Sequence, residues 1–400
     1  MTDEKNDEPL VNNEQPGEIS KQKLILYYGL TVGAVLLIVV IVFIIAVLVG
    51  GSPKDAGSNS NSKFVLKYYS EEEKKGNLFA TSLKDYVKTL KIDGKEEKLT
   101  NEFTFKKAKE YTVEVSLKKD LTSMENLFEK CDSLKEVDLS SLDTSKVTKM
   151  NKLFSGCSNL KAVNLKNVNT SKVETMELMF YGCEKLEKLD LDSFQTSNVK
   201  NMAGMFHRCS SLENLNLSSF DTSKVENMGM MFDGCESLKI LNLKSFDTSK
   251  VTDMSYMFTS ASVLNSLDLS KFNTEKVKTM ANMFAGCTNL KSLNLDSFVT
   301  SNVEDMDHMF YNCQSITLLN LNNFETSKVE KMDFIFADCK ALERLYISKL
   351  STKQLSSKNN LFLNVAEKGE IHYNSELLNT DLFKDTNIEN WERKDELYPK

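Results

Sequence analysis

Eight cysteines, Cys131, Cys157, Cys183, Cys209, Cys235, Cys287, Cys313 and Cys339, could form disulfides, hold a metal or act as nucleophiles, and their spacing decides among these uses. Each gap is 26 residues, or 52 where Ala261 stands in place of a ninth cysteine. Stacking at that period would bring neighbouring cysteines within disulfide reach. Pairing down the column, however, leaves Cys235 facing Ala261, and no CxxC spacing marks a metal site. A position that accepts alanine wants a small apolar side chain, so the cysteines read as buried core thiols. The three histidines, His207, His308 and His372, share no local motif, and HExxH, GxSxG and phosphate-loop patterns are absent. A methionine column from Met150 to Met332 offers thioethers, but it keeps step with valine and phenylalanine and reads as core. Asp138, Asn164, Asp190, Asn216, Asn242, Asp268, Asn294 and Asn320 make a column of hard oxygen donors. Calcium needs roughly six or more converging oxygens, and asparagine separates most of the aspartates, which favours an amide hydrogen-bond ladder. No catalytic, metal or cofactor site emerges, and the chain reads as a non-enzyme.

The elements that must position these columns follow from the period. A phenylalanine column runs from Phe128 to Phe336 and a leucine column from Leu134 to Leu342. Leu241-Asn242-Leu243 alternates as a strand does, whereas Val225, Met228, Phe232 and Cys235 are spaced three, four and three, as on one face of a helix. Threonine recurs from Thr144 to Thr352, followed in most coils by serine. Glutamate then comes three further on, as at Ser223 and Glu226, which is the pattern of a capping box. Gly156, Gly182, Gly234, Gly286, Asn312 and Asp338 precede the cysteines and suit a left-handed residue closing that helix. The expected fold class is therefore an α/β solenoid of strand-turn-helix coils, stacked with strands about 4.8 Å apart.

Outside the repeat, residues 1–23 read as a flexible acidic tail. Residues 24–49 carry no charge, and at about 1.5 Å per residue they exceed a hydrocarbon thickness of roughly 30 Å, so a single N-terminal transmembrane helix is expected. A cleaved signal peptide is the rival reading, though its apolar stretch is usually about 7–15 residues. Residues 50–87 read as a linker opening on GGSPKDAGSNSNSK. Residues 88–120 read as a β-rich cap, with an Asp93-Gly94 turn and period-two alternation in EFTF and EYTVEVSL. The solenoid is expected over 121–350, and a degenerate last coil with a C-terminal cap, including Trp391, over 351–400. A short tail before a first apolar helix is the usual form of a signal-anchor. The expectation is a single-pass plasma-membrane protein with its solenoid outside the cell. A net charge of −7 without a basic stripe argues against nucleic acid as a partner.

The unit MMFDGCESLKILNLKSFDTSKVTDM, residues 230–254, resembles the repeat of BspA-like leucine-rich-repeat surface proteins, a group also described as the DUF285 repeat family. The resemblance covers about residues 121–350. It implies a right-handed leucine-rich-repeat solenoid, exposure at a surface and, for some members, attachment to host proteins or other cells. It brings no catalytic residues with it.

Recognition must then fall to positions that break the beat. Leu178, Tyr181, His207, Met230, Tyr256, His308, Tyr311 and Phe334 occupy two columns three residues apart and could form a ridge. Tyr181, His207, Tyr256, Tyr311 and Phe334 are the candidate binding residues for a protein or glycan ligand. Asn169 and Asn216 head N-glycosylation sequons. The expected function is membrane-anchored cell-surface recognition or adhesion. The alternatives are a structural surface-coat component, or a carbohydrate-active β-solenoid enzyme, which would need a local cluster of acids that the repeat does not show.

Overall fold

Alternate donation along the backbone defines each coil. In the computed structural model, which describes residues 62–374, 377, 381–383 and 388–395, the N–H groups of Met254, Tyr256, Phe258 and Ser260 donate to carbonyls 25 residues ahead, in the next coil, at 2.7–3.2 Å. Those of Met257, Thr259 and Ala261 donate three residues back within their own coil. An α-helix needs every N–H to bond four residues back in one unbroken right-handed run. Here the run is interrupted twice per coil, because Tyr256 and Ser260, and their counterparts from Asn126 and Lys130 to Asn360 and Asn364, have positive φ. The expected strand-turn-helix coil is therefore corrected. Among the described residues there is no α-helix, only short 3-10 turns such as Thr81–Asp85 and Asp381–Phe383, and the molecule is a β-solenoid. Consecutive turns with a left-handed residue every fourth position put Val225, Met228, Phe232 and Cys235 inward as a helix would, which is why the spacing misleads.

The cap is the antiparallel part. It comprises β1 (Lys63–Ser70), β2 (Lys74–Asn77), β3 (Val87–Ile92), β4 (Lys95–Glu96), β5 (Glu102–Phe105) and β6 (Lys109–Leu117). Strand β1 lies inside the stretch 50–87 read as linker, and its alternation in KFVLKYYS buries Phe64, Leu66 and Tyr68. The solenoid contributes β7 (Leu134–Asp138), β8 (Ala162–Asn164), β9 (Asn214–Leu215), β10 (Ile240–Leu241), β11 (Leu318–Asn320), β12 (Arg344–Tyr346), β13 (Glu370–Tyr373) and β14 (Glu392–Asp395). One sheet runs in the order β4-β3-β6-β1-β7-β8, so β1 pairs antiparallel with the first solenoid strand and covers its open edge. At the other end β11-β12-β13-β14 continue in parallel, and the Trp391 indole N–H donates to the Ala366 carbonyl at 2.8 Å.

The core is a set of stacked columns. Phenylalanine rings from Phe128 to Phe362 stack coil on coil with centroids 5.4–6.0 Å apart. All eight cysteines are buried and unpaired, and Cys235 Sγ donates to the Phe206 carbonyl at 3.2 Å, an arrangement repeated along the column. The threonine column caps no helix. Thr248 is buried, donates its hydroxyl to the Asn273 carbonyl at 2.8 Å and accepts the Asn273 N–H at 2.8 Å, fastening one coil to the next.

The expected tail 1–23 and the expected transmembrane helix 24–49 lie outside the described residues. Among the described residues no helix is long and apolar enough to cross a membrane.

Candidate functional site: a ridge on the turn face

Each coil has two broad outer faces. On the strand face, continuous pairing lapses in the middle coils, where residues 187–190, 265–268 and 291–294 form no strand. On the turn face, single-residue parallel bridges run without a break from Lys149 through Asn227, Asp253 and Asp305 to Ser357. The ridge columns lie immediately after this bridge ladder in the chain.

The first column, Leu178, Met230, Tyr256, His308 and Phe334, sits at the left-handed position of the first turn, with φ between 53° and 59°. A side chain there costs about 1–2 kcal/mol relative to glycine, and turns of this kind favour Gly or Asn. Four other coils follow that rule with Asn126, Gly204, Asn282 and Asn360, and one places Lys152 there. The second column, Tyr181, His207 and Tyr311, lies three residues on. Rings from the two columns meet in two groups. Tyr181 stacks on His207 at 4.9 Å, and His308 stacks on Phe334 at 4.9 Å while meeting Tyr311 edge-on at 5.5 Å. Met230 and Tyr256, 41% and 38% exposed, stand between them. Asn282 and Ala285 interrupt the ridge, so the expected continuous row is two ring groups flanking an exposed Met-Tyr pair.

Carboxylates border these rings. His207 Nδ1 lies 3.2 Å from Asp233 Oδ2 and 3.1 Å from the Asp233 carbonyl. Burial pushes the Asp233 carboxyl above its ordinary range, against the pull of His207 and Arg208. Burial and then the repulsion of Asp305 and Asp333 push Asp307 up, although the Asp333 N–H it accepts works the other way.

The hard-oxygen column is committed elsewhere. Asp138, Asn164, Asn216, Asn242 and Asp268 each accept the N–H two residues ahead at 2.9–3.2 Å, closing the turn that ends the strand. Of the sequon residues, Asn169 is exposed and its Oδ1 accepts both the N–H and hydroxyl of Ser171. Asn216 is exposed and donates to Asp192 Oδ1 at 2.8 Å. Sequence reasoning read the strand face as a polar Asp/Asn ladder open to a binding role and missed its apolar groove. There a groove of about 1000 Å³, floored by Val163, Leu189 and Leu215 and edged by Glu187 and Glu213, carries Ile240 at 69% exposure. An isoleucine where other coils place Lys188, Asn214 or Ser266 was the available signal.

Columns of single residues stacked at a fixed period define a repeat solenoid, with its variable side chains carried on the outer faces. Residues 122–240, 230–349 and 289–395 match the family model described as "Mycoplasma protein of unknown function, DUF285". These matches span more than half of the chain, which belongs to the DUF285 family. Among solved structures, the chain is similar to a leucine-rich repeat protein from Bacteroides ovatus ATCC 8483. The two share 16% identity over 73% of this chain and 67% of that one, with a TM-score of 0.42. Among curated proteins no relative matches the chain.

Proposed function

We propose that this protein is a non-catalytic recognition or adhesion protein of the cell surface that binds a protein or glycan ligand through the turn-face ridge. One observation carries the reading. Leu178, Met230, Tyr256, His308 and Phe334 keep large side chains in a left-handed conformation that Gly204 and Asn282 satisfy without strain, so the fold itself does not call for them. Strain retained where the scaffold does not need it points to a use for the side chain. An exposed Met230-Tyr256 pair flanked by half-buried ring groups is suited to contact with a partner. The uncharged segment 24–49 is the part of the chain that would hold it at a membrane, with the solenoid outside the cell.

Two experiments test this. Replacing Tyr181, Tyr256, Tyr311 and Phe334 together with Ser should abolish attachment to cells or ligand while leaving the unfolding midpoint within a few degrees. Unchanged attachment would refute the ridge. Protease shaving of intact cells should release solenoid peptides, and their survival would move the domain inside the cell.

A further inference from the structure

The strand face carries a knob and, on the same side, a hole. Ile240 stands 69% exposed, whereas Met230, the next among the described large apolar side chains, reaches 41%. The groove of about 1000 Å³ over Val163, Leu189 and Leu215 lies one to three coils nearer the cap. A knob and a hole displaced along one face suit an isologous contact, in which each copy's knob fills the other's hole. The two-fold axis relating such copies passes midway between Ile240 and Leu189 at the centre of the groove. In the repeat that point falls between Asn214 and Leu215.

Charge on the same face selects the same axis. Two exposed rows border the strands, one through Lys161, Glu187, Glu213, Lys239 and Lys291, the other through Asp138, Asp190, Asn216, Asn242 and Asp268. A two-fold axis normal to the face reverses both the stacking order and the strand direction, so the first row of one copy meets the second row of the other. About the centre at Asn214 and Leu215, Lys161, Lys239 and Lys291 fall opposite the second copy's Asp268, Asp190 and Asp138. Glu187 and Glu213 fall opposite its Asn242 and Asn216, and no two carboxylates of these rows face each other. Moving the axis by half a coil or a whole coil in either direction sets Glu187 or Glu213 against Asp190 or Asp268. Like charges opposed across an interface cost affinity. Lys239 meets Glu213 of its own chain at 3.0 Å and would join it to the second copy's Asp190.

We infer that the strand face is the contact surface for a second copy of this chain, docked antiparallel about an axis between Asn214 and Leu215, with each Ile240 seated over the other copy's Leu189. The seven coils from Asp138 to Lys291, at about 4.8 Å each, and strands of about five residues at about 3.3 Å give a footprint of roughly 550 Å² per copy. That area lies at the lower end of specific interfaces, so a dissociation constant on the order of micromolar is expected. Since the cap strand β1 pairs with the first solenoid strand, the two chains enter the pair at opposite ends. Resting on the surface location proposed above, the pairing joins copies carried on two facing surfaces.

The test is sedimentation of the full-length chain in detergent micelles over about 1–100 μM. The expected result is a monomer–dimer equilibrium that Ile240→Lys weakens by about tenfold or more, with the unfolding midpoint unchanged. Lys161→Asp and Asp268→Lys should each weaken it by about threefold to tenfold, and the two together in one chain should restore it. Within a chain these positions stand four coils, about 19 Å, apart. That exceeds the screening length of about 8 Å, so restoration arises between copies. Asn214→Cys should be joined to its twin by a short bis-maleimide, and Lys276→Cys, exposed outside the strand face, should not, the native cysteines being buried. A chain that stays monomeric, pairing untouched by Ile240→Lys, failure of the charge exchange to restore it, or equal cross-linking at both cysteines overturns the inference. Pairing is read without cells, so its failure leaves the ridge reading standing, and the aromatic-to-Ser variant should pair normally even where it loses attachment.

Discussion

The strand face and the turn face are built from the same coils, yet they hold those coils together differently. Along the turn face the bridge ladder from Lys149 to Ser357 is unbroken, and the phenylalanine rings beneath it stack at 5.4–6.0 Å. Toward the strand side the second phenylalanine column, through Phe194, Phe272 and Phe298, stacks at 6.3–6.5 Å, and strand pairing survives in the middle coils only as the short β9–β10 pair. Coils draw together on one side and part on the other. The difference teaches that in this solenoid the irregular-looking turns, rather than the strands, supply the continuous hydrogen-bonded seam, and that the ridge stands on the better-fastened side.

The largest expected effect breaks that seam from within. Burial pushes the thiols of Cys131, Cys209, Cys287 and Cys339 up to about 12, and those of the other four upward in the same direction. The folded state therefore holds thiol protons that the unfolded chain releases near pH 9. Stability from this source is fully present below that pH and is lost as pH rises through it toward 12, by about 1.4 kcal/mol per thiol per pH unit. Circular dichroism should show cooperative alkaline unfolding between pH 9 and 12, and a Cys209→Ala/Cys235→Ala variant, made on the precedent of Ala261, should flatten the slope. An unchanged slope would remove the thiols from the account. Next, Phe258→Ala should cost about 3–5 kcal/mol in urea unfolding, since it empties a site in the stacked column. Thr248→Val should cost about 1–3 kcal/mol, because it strands the Asn273 N–H and carbonyl. Hydrogen exchange should localise the loss to the coils on either side. Tyr256→Asn should raise stability by roughly 0.5–1 kcal/mol through relief of the left-handed strain, while weakening ligand attachment. A fall in stability would mean that the tyrosine serves packing. Smallest of all, Ile240→Ser on the strand face should change stability by less than about 0.5 kcal/mol. A larger loss would show that the strand face carries more of the coil-to-coil fastening than its broken pairing implies.

Much of this was legible in the residues and some was not. Periodicity named the core columns, because burial of Phe, Met, Leu, Cys and Val depends only on which side of the coil a position faces. Gly156, Gly182 and Asn312 announced their left-handed backbone for the reason that few other residues adopt it comfortably. The same conformation at Leu178, Met230 and Phe334 was hidden by residues that disfavour it, and so successive turns passed for a helix. Strand β1 was in plain view as an alternating segment, but its adjacency to a polar spacer masked it. The candidate ridge residues were found by variation within the repeat, whereas the pairing of Tyr181 with His207 and of His308 with Phe334 required knowing how far apart the rings of successive coils stand.

The alternate donation of backbone N–H groups to the next coil has one more consequence. Every internal coil presents the same row of acceptors behind it and the same row of donors ahead, so adding or removing a unit of 26 residues creates no junction that the molecule does not already contain. Reach is then adjustable in steps of about 4.8 Å without redesign of either end, and the unequal exchange of near-identical segments would give variants that differ in how far they project while folding by the same rules.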